Sequence, residues 1–144
     1  MKEQASRLVG IDEIIVKNSP EEISKAIHQF IAFCNMQNLS LSVVYKLRLV
    51  MEEILTNTIS YSFKDNRPHD IQIKTNCYVD KVVIEFLDDG IEFNPLAVPE
   101  PKDVPLEERK PGGIGIYLVK MLMDTFEYKR TNGKNILTIS KKIT

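Results

Sequence analysis

Glu53 and Asn57 stand four residues apart in "VMEEILTN", a spacing that places both side chains on one face of a helix while Glu52 points about a quarter-turn away. Leu49 and Val50 precede Glu53 by one turn, so its carboxylate emerges beside apolar neighbours. Such a setting raises proton affinity and suits a general base. Asn57 offers a neutral carbonyl oxygen, a suitable ligand for a hard cation such as Mg2+ whose other ligands are phosphate oxygens and water. Taken alone, the pair equally describes a solvated helix face.

Two further stretches carry chemistry. In "LDDGIEFNPL" an alternating apolar run ends on Asp88-Asp89-Gly90, which taken alone is a surface turn, since Asp and Gly favour turns for backbone reasons. In "PGGIGIYLVK", Gly112, Gly113 and Gly115 precede a helix whose first turn has free N–H groups and a positive dipole end, a place where phosphate can approach the backbone. The stretch lacks the G-K-[ST] ending of a Walker loop and does not follow a strand as a dinucleotide fingerprint would. A plain N-terminal turn is the alternative.

These residues need elements to hold them. "LVGIDEIIVK" (8–17) predicts a short or edge strand. The next segment opens a helix with Ser19 as N-cap, Pro20 at the first helical position and Glu22 completing a capping box. Ile23, Ala26, Ile27, Phe30, Ile31 and Cys34 give that helix one apolar face. A longer helix follows, with Val44, Leu47, Met51, Ile54, Leu55 and Thr58 as its stripe. "DIQIKTN" and "DKVVIEFLDD" alternate as paired antiparallel strands, with Ile71/Ile73 and Val82/Ile84/Phe86 sharing faces. Residues 94–112 lose all periodicity and hold five of the seven prolines, a long loop of the functional kind. One more helix and a terminal hairpin turning at Asn132-Gly133 complete the chain. The expected architecture is α+β, a single domain over 1–144: a two-layer sandwich in which helices cover one face of a mixed, mostly antiparallel sheet.

Composition narrows the function. Nineteen basic against twenty acidic residues give no broad electrostatic hold on nucleic acid or anionic lipid. No apolar run approaches the ~20 residues of a membrane span, and the N-terminus lacks a signal-peptide core, so the sequence reads as cytoplasmic. Cys34 and Cys77 are isolated and read as packing residues.

The order of the signals is more specific than any part: E-x-x-x-N on a helix, D-x-G-x-x-F-N-P after a strand, a loop, G-G-x-G-I-x-L-V opening a helix, then N-x-L-T on the last strand. Over about residues 20–142 it resembles the GHKL ATPase superfamily with its Bergerat fold, and within it the bacterial anti-sigma factor serine/threonine kinases of the RsbW and SpoIIAB type. The resemblance implies that Asp88 accepts a hydrogen bond from the adenine amino group, that Gly90 lets the backbone pass close to the base, and that Thr138 supports Asp88. It implies Glu53 as general base, Asn57 as Mg2+ ligand, and Gly112, Gly113 and Gly115 beneath the triphosphate of ATP. Residues 95–112 match the ATP lid, with Arg109 near the γ-phosphate. The implied activity is phosphorylation of a STAS-domain anti-anti-sigma protein by a homodimer that also holds a sigma factor. The alternative is a module of the same fold that binds ATP and partners without catalysis. Tyr61 and Glu92 depart from the usual pattern, which has histidine and glycine there. His28 and His69 lack the dimerisation-helix setting of a histidine-kinase phosphoacceptor.

Overall fold

A computed structural model of the chain describes residues 6–97 and 115–143. Arg109, Gly112, Gly113 and all but the first three residues of the expected lid lie outside the described residues. The elements run β1 (Leu8–Lys17), α1 (Glu21–Met36), α2 (Leu41–Tyr61), β2 (Asp70–Tyr78), β3 (Lys81–Asp88), a 3-10 turn (Pro95–Ala97), α3 (Gly115–Leu122), β4 (Thr125–Thr131) and β5 (Lys134–Lys142). No described helix is long and apolar enough to cross a membrane.

The five strands form one sheet in the order β1-β2-β3-β5-β4, and every pairing is antiparallel. The parallel component expected of a mixed sheet is absent for a topological reason. Two helices separate β1 from β2, so the chain reverses three times and returns antiparallel to its neighbour. β3 and β4, joined through α3, do run in the same direction, but β5 lies between them and pairs with both.

Alternation along each strand divides the sheet into two faces. Ile14, Ile73, Phe86 and Leu137 stand opposite one another across four strands and are all buried. The neighbouring row, Val16, Ile71, Asp88 and Asn135, begins apolar and ends polar, continuing to Arg130 on β4. The buried face meets α1 and α2 through Ala26, Phe30, Cys34, Leu47, Met51 and Ile54, and meets α3 through Ile116 and Val119.

Local chemistry explains most element ends. Ser40 caps α2, its hydroxyl accepting the Val43 N–H at 3.2 Å. Asn132 and Gly133 take φ of 50° and 73°, the pair of positive values that a two-residue hairpin of the primed type demands. The capping box expected at α1 does not form. Pro20 itself is the N-cap, the Ser19 carbonyl accepts the Glu22 N–H at 3.0 Å, and the Glu22 carboxylate reaches back to the Lys17 N–H at 3.2 Å. The main chain thus does what the Ser19 side chain was expected to do.

Phe30 is completely buried between α1 and the rest of the core. Phe30→Ala should cost about 3–5 kcal/mol, read as a lowered urea midpoint with an unchanged slope.

Candidate functional site

One helix carries the site from end to end. Glu53, Asn57 and Ser62 follow one another along the second half of α2 and its C-cap, and nine residues of helix separate the first from the last by about 14 Å. The core stripe of the same helix (Val44, Leu47, Met51, Ile54, Leu55) fixes α2 on the sheet and so fixes all three.

At the Glu53 end, the carboxylate is half-buried in a cleft of about 330 Å³ that Leu49, Glu52, Thr56, Gly115 and Leu118 also line. Gly115 opens α3 directly against it: a Cβ there would fall 2.0 Å from Glu53 Cδ, so only glycine leaves the carboxylate room. Burial raises the Glu53 pKa above the ordinary carboxylate value and nearby Glu52 adds to the rise, while a hydrogen bond from Asn57 opposes it. Asn57 is wholly buried. Its amide nitrogen donates to the Pro95 carbonyl at 3.3 Å and to Glu53 Oε1 at 3.4 Å. Its Oδ1 finds no hydrogen-bond partner among the described residues. A buried acceptor left open costs about 1–3 kcal/mol, and a neutral oxygen beside a carboxylate fits a hard cation. Among the described residues there is no group of three His, Cys, Asp or Glu side chains able to hold a metal alone. A cation here would take most of its ligands from phosphate and water.

At the other end, Asp88 is 7% exposed. Its Oδ1 accepts from the Ser62 hydroxyl at 2.7 Å, the Gly90 N–H at 2.9 Å and the Asn135 amide at 2.9 Å. Oδ2 takes no hydrogen bond among the described residues, which leaves one oriented acceptor for a ligand. Gly90 is needed where the chain passes the end of α2. A Cβ would meet Ser62 Oγ at 2.2 Å and Ser62 O at 2.3 Å, and the Ile91 N–H bonds that same carbonyl at 2.8 Å. The close approach that this glycine permits is thus to Ser62.

Thr138 requires correction. It pairs with Glu85 and Glu127 in a row on the other face of the sheet, between the buried Leu137 and Ile139, and cannot support Asp88. Period-two alternation excludes it, and the same alternation selects Asn135, which lies opposite Asp88 in register. Ser62 had a weaker signal, a hydroxyl just beyond the last turn of α2. Tyr61 packs its ring 5.6 Å from that of Phe93 and joins no side-chain hydrogen bond among the described residues.

His69 borders the Asp88 end. Its Nε2 lies 2.8 Å from Asp65 Oδ2, its Nδ1 lies 2.9 Å from Asp89 Oδ1, and its ring stacks on Phe63 at 4.9 Å. Two carboxylates on two ring nitrogens require both nitrogens to carry hydrogen, the imidazolium form. The Asp65 hydrogen bond raises the His69 pKa, Asp89 adds to it, and desolvation opposes. This stabilisation is fully present below the unfolded value of about 6.5 and is lost as pH rises through the higher folded value. Urea unfolding across that range should show stability falling with pH in the wild type, and a flatter profile in His69→Gln.

Residues 16–141 match the histidine kinase-like ATPase domain family. The chain is 25% identical over 130 residues to the serine-protein kinase RsbW of Oceanobacillus iheyensis, covering 87% of this chain and 82% of that one. It is 29% identical over 97 residues to the serine/threonine-protein kinase BtrW of Bordetella bronchiseptica, covering 67% and 68%. Against the serine-protein kinase RsbW of Listeria innocua the identity is 22% over 127 residues, covering 82% and 78%.

Proposed function

The chain belongs to the histidine kinase-like ATPase domain family, and from that premise we propose that it is a Mg2+-ATP-dependent serine/threonine protein kinase acting as an anti-sigma regulatory factor. Its substrate is a STAS-domain anti-anti-sigma protein, it works as a cytoplasmic homodimer, and a sigma factor is its second partner. The observation that carries the reading is the polarity of α2: an oriented, half-satisfied carboxylate at one end, and a half-buried glutamate beside an open amide oxygen at the other. Relatives named as serine-protein kinases over most of the chain support it.

In this mechanism Asp88 Oδ2 accepts the adenine amino group and orients the nucleotide along α2. Asn57 Oδ1 would hold Mg2+ together with phosphate oxygens and water, and the ion when bound offsets phosphate charge. Glu53 takes the proton from the serine or threonine hydroxyl of the partner. That oxygen forms a bond to the γ-phosphorus while the bond from phosphorus to the β,γ-bridging oxygen breaks, and ADP departs with the electron pair. Burial of Glu53 raises its proton affinity toward the working pH, which favours this role. Gly115 leaves the carboxylate its space. Gly112, Gly113 and Arg109 are assigned to the phosphate end.

Mg2+-ATP at about a hundredfold over its dissociation constant should stabilise the wild type by roughly 2.7 kcal/mol, a rise in Tm of about 5–10 °C. Asp88→Asn should lose that rise.

Glu53→Gln should keep the ATP-dependent rise while transfer of labelled γ-phosphate to a STAS-domain partner falls at least about a hundredfold. The wild-type rate should climb with pH through a value above the ordinary carboxylate range, the sign expected of a base that must lose its proton. A wild type that binds ATP yet transfers nothing would leave a binding switch in place of a kinase.

A further inference from the structure

Asn135 is gripped at both ends. Its Oδ1 accepts from the Tyr128 hydroxyl at 2.6 Å, the Phe93 N–H at 3.1 Å and Arg130 Nη1 at 3.1 Å. Its Nδ2 lies 2.9 Å from Asp88 Oδ1 and 2.7 Å from the Ile91 carbonyl, with Ser62 Oγ at 3.2 Å. Arg130 makes a second bond, from Nη1 to the Gly90 carbonyl at 2.8 Å.

The two ends of a carboxamide have nearly the same shape, so the groups around it decide which end faces which way. Here three donors surround one end, and a carboxylate and a carbonyl flank the other. Two of the three donors, Tyr128 and Arg130, come from edge strand β4, and both are half-buried. Desolvation raises the Tyr128 pKa and Glu92 adds to the rise, so the phenol keeps the proton it donates.

Turned over, the amide would press its oxygen against Asp88 Oδ1. That acceptor–acceptor contact is relieved when Asp88 swings away. Oδ2 then ceases to be an aimed acceptor, so its bond from a 6-amino group and its repulsion of a 6-oxo group both weaken.

We propose that Tyr128 and Arg130 are positioning residues for base selection: by locking the amide of Asn135 with its NH2 toward Asp88, they hold the pocket to a 6-amino purine and against a 6-oxo purine. The proposal rests on the reading of Asp88 as the base acceptor.

The test is the ratio of ATP to GTP affinity, measured by calorimetry in the wild type, Tyr128→Phe, Arg130→Met, Arg130→Lys and the double variant Tyr128→Phe/Arg130→Met. The ratio should fall about tenfold in the double variant, the scale of one lost hydrogen bond. It should fall less in each of the Phe and Met single variants, and Arg130→Lys, which keeps a donor, should restore most of it. Tyr128→Phe removes a single oxygen and carries the test if the double variant does not fold. Parallel losses of ATP and GTP affinity, with the ratio unmoved, would make the two residues merely structural and overturn the proposal. If the wild type binds neither nucleotide, the reading of Asp88 falls and the proposal with it; if it prefers ATP and no variant changes that preference, this proposal alone falls.

Discussion

A carboxylate almost closed off from water needs its charge matched on the spot, and the way Asp88 meets that demand organises the end of the molecule around it. Three donors converge on Oδ1 from three parts of the chain: Ser62 from the cap of α2, Asn135 from β5, and Gly90 from the turn beyond β3. Each also holds something else. Ser62 presents its carbonyl to Ile91, and Asn135 ties down Ile91 and Phe93. Helix position, strand register and the path of the chain leaving β3 thus meet at a single oxygen, and the other oxygen is left oriented for a ligand. Hydrogen bonds to an ionised acceptor are the strong kind, about 1.5–3 kcal/mol each, so this arrangement resists being turned.

The sheet makes that convergence possible because its buried face is not uniform. Ile73, Phe86 and Leu137 in one cross-strand row and Ile84 and Ile139 in the next fill the centre, and the row at the side where α2 ends carries Asp88, Asn135 and Arg130 instead. Apolar burial sets the position of α2, and α2 in turn sets the separation between Ser62 and Glu53. A helix is a rigid spacer at about 1.5 Å per residue, so the same packing that stabilises the domain fixes the distance between its two chemical ends.

Much of this was legible in the sequence, and the exceptions have a common physical origin. The strands, the helices, the hairpin turn and the E-x-x-x-N and D-x-G signals depend on local spacing, and local spacing is what a sequence displays. The capping of α1 escaped because a backbone carbonyl can replace a side-chain oxygen at no cost that composition records. The wholly antiparallel sheet turned on β5 entering between β3 and β4, a choice of spatial neighbour that no periodicity encodes. Thr138 was assigned by resemblance against the alternation of its own strand. Leu137 and Ile139 already marked the buried face, and Asn135, two residues before Leu137, was the polar residue on it.

The two ends of α2 follow opposite physical logic. Around Asp88 three donors fix Oδ1, so the geometry is set before any ligand arrives and Oδ2 alone is left open. Around Glu53 the arrangement is left incomplete: Asn57 Oδ1 is buried without a partner, and burial pushes the neighbouring carboxylate toward its protonated form. Both features work against stability in the isolated chain, and a cation bound between them would relieve both. The open acceptor at Asn57 is thus a cost that binding at this end of α2 can release. In the proposed mechanism the reactive end is thus the one whose interior acceptor has no partner, and the recognising end the one whose acceptor is already aimed by its neighbours.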